Sequence, residues 1–491
     1  MEKYDAAIIG AGLGGLECAY ILAKRGRKVV VLEKNSQYLG GCLQTFKRGG
    51  NTFDTGFHYV GGLDDGQPLN KLFKRLNLME LPWVKMDEEC FDEVVYQGKS
   101  YKIPQGFDRF RAQMKEYFPE SADEIDTYTA MLKDVADNLL DTFVDNKGAI
   151  HEHPLFVRKA LDYLNQTISN PVLRNVLSGT SPKLMLHANL PLYVFAQINA
   201  SFINSAYRMD APGMAIADHL AGDIISCNGV IMKGAEVTRL EESDHGTKIL
   251  SIDGKDSVEA DVVISNIHPA RLSEILPGTI AKKYSRRVKG DQSFGMFTVN
   301  IALKPGAVRY LNRNIYIHNT DDIWTEASDI DSSKPGCVLI SFRYSKTGYA
   351  EYADILTPMS WNEVERFDDG SAPMRRSREY EDFKKAREIQ LIDIASRYVP
   401  GLKDAISYTA SSTPLTYKYY TGTECGAAYG INIDSDKLLN TMPAPKVADG
   451  IYHCGQNTGL HGILGVTMTA CIACQPILQE ENLLDIFDKK N

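Results

Sequence analysis

The stretch Asp5-Ala6-Ala7-Ile8-Ile9-Gly10-Ala11-Gly12-Leu13-Gly14-Gly15 lies at the very start of the chain. Asp5 to Ile9 is a short strand pattern, and in the helical pattern after the glycines Leu16, Ala19, Tyr20 and Ala23 share one face. Gly26 ends that helix, and Arg27 to Leu32 is a second strand closed by Glu33. The whole is a βαβ unit in which each glycine has a mechanical task. Gly10 makes the tight turn, Gly12 lets backbone N–H groups approach a pyrophosphate, and Gly15 lets helix and strand pack closely. Phosphate is expected at the positive end of the helix, with Glu33 accepting hydrogen bonds from a ribose diol. A glycine fingerprint alone is weak; with both strands, the helix and the acid in register it reads as a dinucleotide site.

After Glu33-Lys34 the chain reaches Gly40-Gly41-Cys42 and Thr45, then Phe53-Asp54-Thr55-Gly56. The glycine pair again permits close backbone approach to a ligand, which a domain binding only NAD does not need at that point. No second glycine fingerprint with a strand before it and an acid after it occurs in the sequence, so one dinucleotide is expected and a dedicated NAD(P)H domain is not.

The fingerprint, Gly40-Gly41 and the segment Phe53-Asp54-Thr55-Gly56-Phe57-His58-Tyr59-Val60-Gly61 together resemble the flavoprotein superfamily of phytoene desaturases, carotenoid isomerases and amine oxidases. The His-Tyr-hydrophobic-Gly ending and Cys42 after the glycine pair look most like the retinol saturase branch. Two further matches are Thr413-Pro414-Leu415-Thr416 leading to Gly426-Ala427-Ala428-Tyr429-Gly430, and Ile451-Tyr452-His453-Cys454-Gly455-Gln456 with Leu460, Gly462, Gly465 and Thr469. The resemblance implies an α/β fold: a Rossmann-type, GR2-like FAD-binding domain with an interleaved mixed-sheet and helical substrate domain. It implies non-covalent FAD held by Gly10, Ala11, Gly12, Leu13, Gly14, Gly15, Glu33, Lys34, Gly40, Gly41, Cys42, the Val237 backbone, Gly455, Gln456, Gly462, Gly465 and Val466. At Gln456 many relatives carry Asp, and Gln keeps the hydrogen bonds while removing a charge.

On this pattern the cofactor domain comprises residues 1–63, 210–270 and 436–487, and the substrate domain residues 64–209 and 271–435. Ile224 to Met232, leading to Gly234-Ala235-Glu236-Val237, reads as a strand, and Ala260 to Asn266 as a fully buried one. Ser293 to Leu303, Asn314 to His318 and Cys337 to Arg343 suggest the strands of a second, mixed sheet. Phe107 to Tyr117 and Glu124 to Leu140 read as helices roofing a cavity.

A chain of 491 residues is too long for one ordinary core. A net charge of −9 argues against a nucleic-acid binder, which needs a dominant basic surface. Nine scattered cysteines fit reduced thiols, and the N-terminus runs straight into the first strand without a signal peptide pattern, so a cytoplasmic protein is expected. Gly450 to Gln479 lacks Asp, Glu, Lys and Arg, yet its glycines, His461 and Asn457 make it a strand, a glycine turn and a buried helix rather than a membrane span. Peripheral contact with the membrane inner face is a separate expectation, since similar enzymes meet lipid-soluble substrates. Its candidates are the basic run Lys282 to Lys289 and the apolar stretch Leu192 to Ile203, with a solvated helix face and a cavity-lining core helix as the alternatives.

Hydride chemistry on a flavin leaves the protein to position a carbon, exclude water and move a proton. His58 and Tyr59 are the candidate catalytic pair, because their types suit proton transfer and similar proteins run this segment near the flavin. Structural hydrogen bonding is the alternative for both, and His461 is a further candidate facing the cofactor. Cys42 without a close second cysteine, the Cys471-x-x-Cys474 pair, His453 and the His151-x-His153 pair all read as structural, and no metal site is expected. Three functions stay open. One is an FAD oxidoreductase acting on C=C or CH–CH units of a polyene or isoprenoid lipid by saturation, desaturation or isomerisation. The others are a flavin amine oxidase-like or other flavin dehydrogenase, marked by an aromatic cage, and a non-catalytic flavin-bound lipid carrier. The expected partners are a hydrophobic small molecule and an electron donor or acceptor such as NAD(P)H, a quinone or a reduced flavin.

Overall fold

The computed structural model describes residues 2–145, 152–372 and 376–487. The first strand, Glu2–Ile9, sits at the centre of an eight-stranded sheet. The order is Val230–Lys233, Val29–Glu33, Glu2–Ile9, Lys255–Ser265, Lys248–Ile252 and Val237–Glu242. The first four run parallel, and the last two continue as an antiparallel meander. Ile451–His453 joins the far end of Lys255–Ser265 in parallel, with Lys446–Ala448 beside it. Central strands such as Val29–Glu33 are apolar along nearly their whole length because helices cover both faces of a parallel sheet.

The helix Leu13–Lys24 covers one face, and the C-terminal helix Gly462–Leu478 packs along it. Cys18, Cys471 and Cys474 lie buried between them, and Arg25 pairs with Glu480 at 2.7 Å. The start and end of the sequence thus form one layer.

A seven-stranded sheet follows the order Ile406–Ser412, Gly295–Leu303, Tyr352–Met359, Cys337–Phe342, Asn314–His318, Asp92–Tyr96 and Lys99–Ile103. It is antiparallel except where Asn314–His318 runs alongside Asp92–Tyr96. The helices Phe107–Tyr117, Ala122–Asp137 and Leu192–Asn204 pack together beside it.

One local expectation is corrected. Ile224 does not begin a strand: it closes the helix Met214–Ser226, and the strand starts at Val230 after a turn at Asn228 and Gly229. Ile224 is fully buried on the helix's core face, and a Cβ at Gly229 would lie 2.5 Å from its side chain, so the chain must turn there. For Leu192 to Ile203 the structure decides between the two alternatives in favour of a cavity-lining core helix: every residue from Leu192 to Ala200 is buried, and Gln197, Ile198, Ser201 and Phe202 line the cavity. Among the described residues no helix is long and apolar enough to cross a membrane. In the basic run, Lys282, Lys283, Arg286 and Lys289 are exposed.

Candidate active site

The glycine loop is built by steric exclusion. A Cβ at Gly15 would lie 2.1 Å from the Gly10 carbonyl oxygen, so the helix can cross the strand only where there is no side chain. Gly10 takes φ +92°, which opens the turn. Asn266, at the end of the buried strand, supports the loop from below: a Cβ at Gly12 would lie 2.8 Å from its Nδ2, and one at Gly455 2.7 Å from its Oδ1. The Ala11 N–H donates to Glu33 Oε2 at 2.8 Å, and the Gly40 N–H donates to the Ala11 carbonyl at 2.8 Å. Glu33 and the Gly40-Gly41 turn are thereby fixed to the loop.

A cavity of about 520 Å³ begins at this cradle and runs between the two sheets. One end is lined by Gly10, Gly12, Leu13, Gly14, Glu33, Lys34 and Val237, the middle by Gly40, Gly41, Cys42, Gly455, Gln456, Gly462 and Val466. The far end holds His58 and Tyr59 among Ile198, Phe202, Met296, Tyr316, Leu339 and Leu356. Three of the expected cofactor residues do not line it. Ala11 is turned behind the loop with both backbone groups bonded, Gly15 serves the strand crossing, and a Cβ at Gly465 would strike the Leu460 backbone at 2.5 Å, which makes it a packing glycine.

FAD fits what is present. Two helices, Leu13–Lys24 and Gly462–Leu478, begin at the cavity, and neither has an acidic residue in its first turn or a side-chain cap. Their free N–H groups suit a diphosphate and the electron-rich carbonyl edge of a flavin. Cys42 lines the cavity with its side chain exposed to it, and desolvation there raises its thiol above the usual range.

The segment after the second glycine pair is tied to the second sheet. Asp54 accepts the Gly213 N–H at 2.8 Å and pairs with Arg343 at 2.9 Å. His58 Nδ1 lies 3.5 Å from Asp354. Tyr59 enters a cluster that spacing along the chain does not disclose. Its hydroxyl lies 2.9 Å from Asp92 Oδ2, 2.7 Å from the Tyr316 hydroxyl and 2.9 Å from Lys183 Nζ. Lys183 also donates to Asp92 Oδ2 at 2.9 Å, while Asn314 Nδ2 donates to Asp92 Oδ1 at 2.8 Å. Behind them the fully buried Arg208 donates to Asn314 Oδ1 at 2.8 Å. Desolvation lowers the Lys183 ammonium despite Asp92, and burial raises both phenols well above their ordinary range.

The other candidates are placed plainly. His461 donates from Nε2 to the Lys183 carbonyl at 3.0 Å, since a carbonyl can only accept, and burial pushes its pKa down to about 4, so it is a neutral imidazole on the cavity wall. His453 is bonded by the Tyr284 hydroxyl at 2.5 Å and the Ile267 carbonyl at 3.0 Å and is structural. His153 caps the short helix Pro154–Val157, and His151 lies outside the described residues. Among the described residues no group of three His, Cys, Asp or Glu is placed to hold a metal. Trp83, Trp324 and Trp361 do not line the cavity; Tyr59, Tyr316, Tyr417 and Tyr429 do.

Comparison with known proteins agrees with this geometry. Residues 8–76 match the model of an NAD(P)-binding Rossmann-like domain. Over 98% of its length the chain is 27% identical to the all-trans-retinol 13,14-reductase of Danio rerio, covering 87% of that protein. Over 25% of its length it is 33% identical to prolycopene isomerase 2 of an Oncidium hybrid cultivar, covering 21% of that protein. A putrescine oxidase double mutant shares the fold with a TM-score of 0.63 at 14% identity, over 99% of this chain and 100% of that one. The chain is thus similar along nearly its whole length to all-trans-retinol 13,14-reductases, and over a part of its length to a prolycopene isomerase and a 1-hydroxycarotenoid 3,4-desaturase.

Proposed function

We propose that the protein is an FAD-dependent oxidoreductase acting on a C=C or CH–CH unit of a polyene or isoprenoid lipid of retinoid or carotenoid type. The observation that carries this reading is the continuity of the cavity, which passes from a dinucleotide cradle into a mostly apolar chamber ending on Tyr59 and Lys183. When bound, FAD supplies or accepts the hydride equivalent. The protein's own share is threefold. Glu33, the glycine turns and the two helix starts hold the dinucleotide non-covalently; Ile198, Phe202, Leu339 and Leu356 seat a hydrocarbon and exclude water; Tyr59, with His58 beside it, manages a proton at the chamber. The relatives' names support a retinoid or carotenoid substrate.

An amine substrate is disfavoured, because the chamber walls Ile198, Phe202, Leu339 and Leu356 are apolar and Asp92 is already bonded by Lys183, Tyr59 and Asn314. Incubating the yellow protein anaerobically with all-trans-retinol and prolycopene, with and without dithionite, tests the reading by product mass. A gain of two hydrogens means saturation, a loss of two desaturation, and an unchanged mass with shifted absorbance isomerisation. Flavin that binds but exchanges hydrogen with no polyene would leave the lipid-carrier function instead. For the proton, Tyr59→Phe should lower turnover about a hundredfold with FAD retained, whereas His58→Gln separates the second candidate.

A further inference from the structure

Lys183 is the one lysine of the chamber's inner wall, and its surroundings are unlike those of a structural ion pair alone. Its Nζ lies 4.1 Å from the ring centre of Phe202, 5.2 Å from Tyr59, 5.7 Å from Phe91 and 5.9 Å from Tyr316. Four ring faces and one carboxylate favour the ammonium, while the absence of bulk water around it favours the free amine. A lysine drawn in both directions in this way can give a proton and regain it. Asp92, already bonded by Tyr59, Lys183 and Asn314, fixes the position of the cluster. His461 holds the Lys183 backbone from the other side.

Behind Lys183 lies a separate cavity of about 20 Å³, bordered by Asp92, Thr180, Lys183, Asn199 and apolar side chains. Thr180 is 6% exposed, and its hydroxyl has no hydrogen-bond partner. That volume holds one water, and Thr180, Asn199 and Lys183 supply the polar partners it requires.

We propose that Lys183 is the proton store of the reaction, delivering through the Tyr59 hydroxyl and refilled through one internal water beside Thr180. The inference rests on the reading of the site as a polyene oxidoreductase and concerns its saturating direction. One new C–H bond takes the hydride equivalent from the reduced flavin, which an external two-electron reductant regenerates. As the second C–H bond forms, the Tyr59 O–H bond breaks; the phenolate takes a proton from the Lys183 ammonium, and the free amine regains one through the water, which takes a replacement proton from bulk solvent so that no hydroxide is left. The alkene gains two hydrogens and the cluster returns to its starting charge. Tyr59 meets the substrate, and Lys183 acts through it.

The test uses FAD-loaded full-length protein, reduced by dithionite, with all-trans-retinol as probe. Lys183→Arg keeps the charge but not the acidity, and Lys183→Met removes both. Both should retain FAD absorbance and dithionite reduction while turnover falls at least a hundredfold, and product formed by the wild type in D₂O should carry two deuteriums, one by way of the dithionite-reduced flavin, whose transferable hydrogen comes from solvent, and one by way of Tyr59. Thr180→Val should leave the first turnover intact and slow those that follow. Carbon-13 NMR of ε-labelled lysine supplies a readout free of turnover: one resonance, lost in Lys183→Met, should titrate below the bulk lysines, with Asp92, Tyr59 and Tyr316 as the ionisable groups facing it. Wild-type turnover with an undiminished Lys183→Arg, or a Lys183 resonance that titrates with the bulk, overturns the inference and leaves the functional reading standing. No two-hydrogen gain by the wild type overturns both.

Discussion

Glu17→Gln should stabilise the protein by an amount that grows with pH. Glu17 sits in the helix after the glycine loop with no exposed surface; the Thr467 hydroxyl donates to its Oε1 at 2.6 Å, and its Oε2 has no partner. Desolvation pushes its pKa from an ordinary 4.5 up to about 8, against the smaller opposing effect of Thr467. Because the folded-state value is the higher one, the folded protein carries no penalty below about pH 4.5. The penalty grows as the unfolded chain ionises and reaches its full size above about pH 8. At about 1.36 kcal/mol per pH unit, keeping this carboxyl protonated costs roughly 3 kcal/mol at pH 7 and under about 1 kcal/mol at pH 5. Glutamine keeps the shape and the acceptor for Thr467 but never ionises, so the penalty disappears. Thermal unfolding of both proteins at matched FAD loading should show nearly equal midpoints at pH 5 and a higher midpoint for Glu17→Gln at pH 7.5. Parallel pH curves for the two proteins would refute the reasoning.

Gly15→Ala should prevent a correctly formed loop, because the new Cβ meets backbone at 2.1 Å; the soluble yield of flavin-bound protein measures it. Gly12→Ala meets the movable end of Asn266 at 2.8 Å, so it should fold and bind FAD more weakly. Glu33→Arg removes the acceptor that orders Ala11 and places a cation at the ribose, which should weaken FAD at least tenfold by fluorescence titration. Heat-denatured wild type should release FAD, and release of FMN would contradict the dinucleotide cradle. Asp92→Ala leaves Lys183 buried without its carboxylate and should cost roughly 3 kcal/mol in urea unfolding.

The glycine loop was legible because its physics is local. The spacing of Gly10, Gly12 and Gly15 between an apolar strand and a helix buried from Leu13 to Ala23 leaves one backbone path, and Glu33 falls at the end of the next strand whatever the rest of the chain does. The strand ending at Ser265 and the break of the long apolar run into strand, turn and helix were readable for the same reason, although the strand is not fully buried: Asp261 is exposed and Val262 half-buried. Periodicity could not separate Ile224 as the end of a helix from Ile224 as the start of a strand, since an apolar residue suits both and only packing decides. Nor could it show that Leu192 to Ala200 is covered on all sides by protein.

The chemistry at the far end of the cavity belongs to tertiary structure. Tyr59, Asp92, Lys183 and Tyr316 come from four distant segments, and each alone is unremarked: a tyrosine after a histidine, an acid opening a strand, a lysine before Leu184-Met185-Leu186, a tyrosine in an apolar strand. The sequence determined the glycine loop and the position of Glu33, the features that mark a dinucleotide cradle, because backbone sterics act over a few residues. Which side chains meet at the far end of the cavity was decided only when two sheets packed and brought their ends together, because hydrogen bonds and desolvation depend on distances in space that spacing along the chain does not encode.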